Sequence, residues 1–261
     1  MRKNAYILLA ALGLASCNYL EIEPVGKVIP HKTSEYRALL TEGYSRFPYT
    51  SSKAYTGLLS DEVGMFHEGN FFDSSDAIAL SYNYTWQYET QMWEYPYQYY
   101  YRAAFQAKAG IDGVADADDD SSEDKRQILG EAYAMRAYAH FDLVNLYGKP
   151  YDPQTASTDR GVPLSTYIDI EQKYRPASVE AIYTQILKDI EAAERTMTLE
   201  KQESPTLNYR FSLDALAAFK ARVMLYMRNW QAAYDAATGL LPKYELVDFN
   251  ASPESGDLPW K

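Results

Sequence analysis

The sequence holds a single cysteine, Cys17, and only three histidines, His31, His67 and His140. One thiol excludes an intramolecular disulfide and every multi-cysteine metal site, and no two histidines have the spacing of a zinc site. No glycine-rich phosphate loop and no Gly-x-Ser-x-Gly turn is present, so nucleotide chemistry and serine hydrolysis both lack their usual framework. Cations are scarce as well: 25 Lys and Arg stand against 36 Asp and Glu, a net charge of −11 over 261 residues. A chain this acidic repels a phosphate backbone, which argues against nucleic acid as a partner. Adjacent acids such as Asp61 and Glu62 cannot straddle a glycosidic bond as a hydrolase requires. The sequence therefore predicts a protein that is not an enzyme and uses no cofactor. What it has in excess is tyrosine, 25 residues beside 9 Phe and 4 Trp. Each ring offers a flat apolar face with a polar tip, which suits helix packing and also the recognition of sugars or peptides.

Long hydrophobic runs are also missing, apart from one near the start. Arg2 and Lys3 precede an apolar stretch at residues 5–14, followed by Ala15, Ser16 and Cys17. The stretch is shorter than the roughly 20 residues that span a bilayer, and its flanks are those of a secretory signal. Leu14-Ala15-Ser16-Cys17 resembles the bacterial lipobox, in which the cysteine is lipidated and becomes the first residue of the mature protein. Residues 1–16 are thus expected to be a lipoprotein signal peptide and residues 17–32 a lipidated tether, in which Pro24, Gly26 and Pro30 oppose helix formation. Several acyl chains on one residue anchor a protein stably where one chain would not.

The rest of the chain reads as all-α. A first helix is expected over 33–44, capped by Thr33 or Ser34, with Tyr36, Leu39, Leu40 and Tyr44 on one side. Residues 45–88 show no sustained period. From Gln91 to Val114 the spacing of Trp93, Tyr97, Tyr100, Tyr101 and Ala104 predicts a helix with a buried face. An acidic run from Asp116 to Asp124 then precedes a helix over 123–147. That helix carries Ala132, Ala134, Ala137 and Ala139 for close approach, and Met135, Tyr138, Phe141 and Val144 for bulk. After a loop over 151–176, Ser178 caps a helix whose face is Val179, Ile182, Ile186, Ile190 and Ala193. Another begins near Ser212 with Leu216, Phe219, Val223 and Met227, and a shorter one carries Trp230, Ala233, Tyr234, Ala237 and Leu240. The last two form a helix-turn-helix unit of the tetratricopeptide kind. The expected architecture is tetratricopeptide-like helical hairpins decorated by long irregular loops.

These residues also carry a family resemblance. The stretch from Leu129 to Gly148, including Ala132, Met135, Arg136, Ala137, His140, Phe141 and Tyr147, resembles the signature helix of the SusD/RagB family. The tether from Asn18 to Pro24, Ser60-Asp61-Glu62, Gly161-Val162-Pro163-Leu164, Arg210-Phe211-Ser212, Ala221-Arg222-Val223 and Asn229-Trp230-Gln231-Ala232-Ala233 follow in the family's order. The resemblance implies a SusD-like helical domain over 33–261, with a second half of similar size usual in the family, so that the chain is either a fragment or a short member. It implies a nutrient-binding lipoprotein of the outer membrane, exposed on the cell surface, that captures oligosaccharides and passes them to a TonB-dependent transporter of the SusC type. The alternatives are a peptide-binding member of the same family and a helical-repeat scaffold lipoprotein that grips protein partners.

Within that frame the loop after Asp61-Glu62 draws attention, because Met65, Phe66, His67, Asn70, Phe71 and Phe72 sit together in a glycine-flanked, aperiodic segment. In glycan-binding relatives the corresponding segment supplies aromatic and amide contacts, which makes Phe66, His67 and Asn70 candidate ligand residues, with Trp86 next. Exposed aromatics between Val63 and Trp86 would favour ligand binding, and buried ones a scaffold. Asp116, Asp118 and Asp120 begin like a calcium loop, but Ser121 and Gln127 stand where glycine and a bidentate glutamate are needed. Arg136 is expected in an ion pair with an acid such as Glu131 or Asp142, and His140 is expected to be a packing residue.

Overall fold

The computed structural model describes residues 30–46, 60–61, 96–119, 122–168, 171 and 173–246. The helices are α1 (Thr33–Ser45), α2 (Pro96–Gly113), α3 (Ser122–Tyr147), α4 (Val179–Thr196), α5 (Leu213–Tyr226) and α6 (Trp230–Thr238). A two-stranded antiparallel ribbon, β1 (Arg160–Pro163) with β2 (Pro176–Ser178), interrupts the expected loop between α3 and α4. The all-α prediction holds, with this ribbon as its addition. Cys17, Phe66, His67, Asn70 and Trp86 lie outside the described residues, as does the whole segment from Val63 to Trp86.

Helix α3 is the centre of the domain because both of its flanks are apolar. On one flank Ile128, Ala132 and Met135 pack with Tyr36 and Leu40 of α1 and with Ala103 and Ala107 of α2. On the other, Phe141 and Val144 pack with Ile182 and Ile186 of α4 and with Leu216 and Phe219 of α5. The alanines of α3 are buried and let its neighbours approach closely, as their small size predicts. Helices α4 and α5 start as expected, since Ser178 and Ser212 each accept a hydrogen bond from a backbone N–H in their own first turn.

Helix α1 starts differently. Lys32 takes the cap position, and Thr33 is the first helical residue. Its N–H, one of the orphan donors of a helix start, is satisfied instead by the carboxylate of Asp119, which also accepts from the Thr33 hydroxyl. Glu35 reaches back to the N–H groups of His31 and Lys32, at 2.7 and 3.1 Å. Part of the acidic run therefore closes the start of α1, a partner that no local spacing could have indicated.

Two charged clamps bind the helices together. Arg136 donates from Nε and a terminal nitrogen to the two carboxylate oxygens of Asp189, at 2.8 and 2.6 Å, and both residues are buried. The expected ion pair is present, but its acid is neither Glu131 nor Asp142. Glu131 faces α1, where it accepts two bonds from Arg37 and one from the Tyr44 hydroxyl. Asp142 accepts from the Tyr100 hydroxyl of α2 at 2.7 Å. Successive positions of α3 point to different neighbours, so the partner of Arg136 comes from α4.

Close approach also explains one glycine of the signature stretch. A Cβ built on Gly130 would lie 2.8 Å from both Cβ and N of Met197 and 2.9 Å from its Cα. Gly130→Ala would gain about 1 kcal/mol of helix propensity, yet overpacking against backbone costs about 1–3 kcal/mol. The expected outcome in urea denaturation is a net loss of up to about 2 kcal/mol. A variant as stable as its parent would show that the turn at Met197 yields freely.

Candidate functional site

The repeat of α2 sorts its side chains into two stripes. Tyr100, Ala103, Ala104 and Ala107 face the core and are buried. Tyr97, Tyr101 and Phe105, at steps of four residues, form an adjoining stripe at the margin of that face, with Tyr97 and Phe105 exposed and Tyr101 half-buried. Tyr97 is 39% exposed, which corrects the expectation that it belongs to the buried face. Its ring lies 4.6 Å from that of Tyr101 and meets Tyr147 edge-on at 5.4 Å.

The stripe forms one wall of a groove of about 420 Å³, whose other wall comes from Pro163, Ser165 and Tyr174, with Gln98 at its edge. The ribbon places that second wall. A Cβ on Gly161 would fall 2.4 Å from Ile182 Cδ1, so this glycine lets β1 lie directly on α4. Beyond it, the Pro163 carbonyl accepts from the Tyr101 hydroxyl at 2.6 Å. The Ser165 N–H donates to His140 Nε2 at 3.0 Å, while Nδ1 donates to the Arg136 carbonyl at 2.9 Å. His140 is thus fully buried and fixed in one tautomer, the packing role expected of it. Burial pushes its pKa down to about 4, so it is neutral at neutral pH and accepts the Ser165 bond. Burial, together with neighbouring Tyr97, raises the Tyr101 phenol well above its ordinary range and keeps its donor proton in place.

The groove carries exposed aromatic faces, one side-chain amide and one serine hydroxyl, with no group among its lining residues that is charged at neutral pH. Such a surface can stack on the C–H faces of sugar rings and hydrogen-bond their hydroxyls. Phe105 and Tyr174 were not among the residues singled out from sequence. The four-residue aromatic step from Tyr97 to Phe105 was the available signal for the first. Nothing local indicated the second, which arrives from the connection between β1 and β2.

Next to α5 lies a second cleft, formed by two adjoining cavities of about 260 and 300 Å³ that share Asn208, Arg210 and Ala215. Its aromatic wall is Tyr44, Tyr138, Tyr209 and Phe211. At the start of α6 Trp230 is 63% exposed, whereas Ala233 is buried. Among the described residues, no group of three or more His, Cys, Asp or Glu is placed to hold a metal ion, and no helix is long and apolar enough to cross a membrane.

Comparison with known proteins agrees with this architecture. Residues 18–225 match the SusD-like family described as starch-binding associating with outer membrane. A SusD-like protein from Formosa agariphila is 29% identical over 248 residues, which cover 90% of this chain and 44% of the relative. Among solved structures, a SusD superfamily protein from Bacteroides thetaiotaomicron aligns with a TM-score of 0.67 at 20% identity, over 84% of this chain and 49% of that one. A laminarin binding SusD-like protein aligns with a TM-score of 0.60 at 23% identity, over 78% of this chain and 42% of that one. The chain spans about half the length of these relatives. Because the family model matches residues 18–225, most of the sequence, and the fold agrees, this chain belongs to the SusD/RagB family.

Proposed function

We propose that this chain is part of a surface-exposed nutrient-binding lipoprotein, anchored to the outer membrane through Cys17, which captures oligosaccharides and passes them to a TonB-dependent transporter of the SusC type. The observation that carries this reading is the row of aromatic faces along α2 and Tyr174, displayed on the scaffold of a family described as starch-binding. Capture needs no chemistry on the glycan. Stacking supplies affinity that depends little on linkage, and the amide and hydroxyl groups orient the ring. Phe66, His67, Asn70 and Trp86 are proposed as further ligand contacts.

Isothermal titration of the full chain against laminari-, malto- and xylo-oligosaccharides tests the reading. Tyr97→Ala is expected to weaken the best-bound glycan about tenfold or more, the usual cost of an aromatic anchor of about 1.4 kcal/mol or above. Its melting temperature should change little, because the ring is partly solvated. Phe66→Ala and His67→Ala are expected to weaken binding in the same way. Unchanged affinity in all three variants would remove the glycan reading. The anchor has its own test: Cys17→Ala is expected to abolish acylation and membrane fractionation in cells lacking the transporter. Persistent membrane association of that variant would refute it.

A further inference from the structure

The second cleft differs from the groove in charge. Two cations line it, in a chain that carries 36 acids against 25 bases. Arg210 donates from Nε to the Tyr209 hydroxyl at 3.0 Å, and its guanidinium lies 5.2 Å from the centre of that ring. Its two terminal nitrogens have no acceptor among the described residues. Lys201 lies 5.5 Å over the ring of Tyr244 and makes no ion pair with a described carboxylate. The carboxylate in the cleft wall, Asp214, is already engaged by Lys243 at 3.0 Å and by the Tyr244 hydroxyl at 2.8 Å. Lys243 also bonds Glu200.

Among the surface cations, Lys149, Arg195, Lys220 and Arg228 each pair with a carboxylate. Arg210 instead presents a free fork of donors at the edge of an exposed tyrosine, with Asn208 beside it. A planar fork matches a carboxylate with two parallel hydrogen bonds. Tyr209 is 47% exposed and is held edge-on against buried Tyr44 at 5.6 Å, so its position is set by packing before any ligand arrives. A ring face, a guanidinium fork and an amide side by side suit a sugar that is itself ring-shaped and bears an acid group.

We propose that this cleft binds a carboxylated sugar residue of the hexuronate class, with Arg210 and Lys201 taking the carboxylate and Tyr209 lying against the ring. The assignment rests on the glycan-capture reading above and names one residue type of the captured chain. A neutral sugar would leave the fork unpaired, whereas a uronate pairs it, so the cleft discriminates by charge where the α2 groove does not.

The test uses the full chain with three probes of equal length: trigalacturonate, a sulfated galactan trisaccharide and neutral laminaritriose. Expected are a trigalacturonate affinity at least tenfold lower in Arg210→Gln, partial rescue in Arg210→Lys, a smaller loss in Lys201→Gln, and laminaritriose affinity within twofold of the parent in all three. Melting curves that coincide with the parent's show that the cleft still folds. Trigalacturonate binding that is absent from the parent, or unaffected in Arg210→Gln, overturns the proposal, as does equal or tighter binding of the sulfated probe through the same arginine. If laminaritriose binds and responds to Tyr97→Ala while trigalacturonate fails, only the uronate assignment falls. If no probe binds at all, the glycan-capture reading falls with it.

Discussion

Replacing Arg136 with methionine is expected to destabilise the domain by about 3–5 kcal/mol, and replacing it with alanine by a similar amount. The reason is what remains behind. Asp189 is buried and bonded to Arg136 through both oxygens, with only Gln185 as a further donor among the described residues, at 2.9 Å. Without the guanidinium, its charge sits uncompensated between α3 and α4. Were Arg136 present mainly for its aliphatic stem, methionine would replace it with little loss. The double variant Arg136→Met with Asp189→Ala removes both charges and is expected to recover at least half of the single-variant loss, because a buried pair is costly to break and much less costly to remove. Urea denaturation of the four species closes the cycle. A loss below about 1 kcal/mol for Arg136→Met alone would show that the pair is solvated in the working protein.

The second large effect is on acid stability, through His140. Its folded pKa lies near 4, below the ordinary value of 6.5, because burial penalises the charged ring. As pH falls through 6.5 the unfolded chain therefore takes up a proton that the folded one refuses. The stabilisation is complete above pH 6.5 and is lost progressively between 6.5 and 4. At about 1.4 kcal/mol per pH unit, the whole window amounts to roughly 3 kcal/mol. Protonation also has a specific structural consequence, since a proton on Nε2 cannot coexist with the bond from Ser165 N–H. The segment carrying Pro163 and Ser165 should then loosen, and with it one wall of the aromatic groove. His140→Gln is expected to lower stability at neutral pH yet to flatten the dependence between pH 6.5 and 5 by close to one proton, a window above most carboxylate titrations. An unchanged slope in that variant would assign the acid sensitivity to other groups.

Much of the fold follows from local chemistry. Apolar residues at steps of three and four mark α3, α4 and α5 because an amphipathic helix carries its burial pattern in its own repeat. Ser178 and Ser212 mark helix starts because a serine cap acts within one turn. The alanines of α3 announce its central place, since only small side chains allow neighbours on both flanks. The start of α1 was not legible in the same way: its donors are satisfied by Asp119, 86 residues along the chain. Nor was the partner of Arg136, because the nearest acids along α3 are turned toward other helices, Glu131 to α1 and Asp142 to α2.

The candidate sites divide along the same line. Tyrosine abundance suited both packing and recognition, and the resemblance to the SusD/RagB family implied a binding surface on a helical scaffold. Which tyrosines face solvent was decided by tertiary structure, because period alone assigns a residue to a stripe and cannot say which stripe meets a neighbour. Tyr97 and Tyr100 share one helix, yet Tyr100 is turned toward α3 and Tyr97 lies in the groove. Tyr174 joins that groove only through the β1–β2 ribbon, and the neighbouring pair Tyr209 and Arg210 reaches Tyr44 only where the α4–α5 connection folds back over α1. Local sequence determines which helices form and which faces are apolar; long-range packing determines which polar and aromatic groups are left over to meet a ligand.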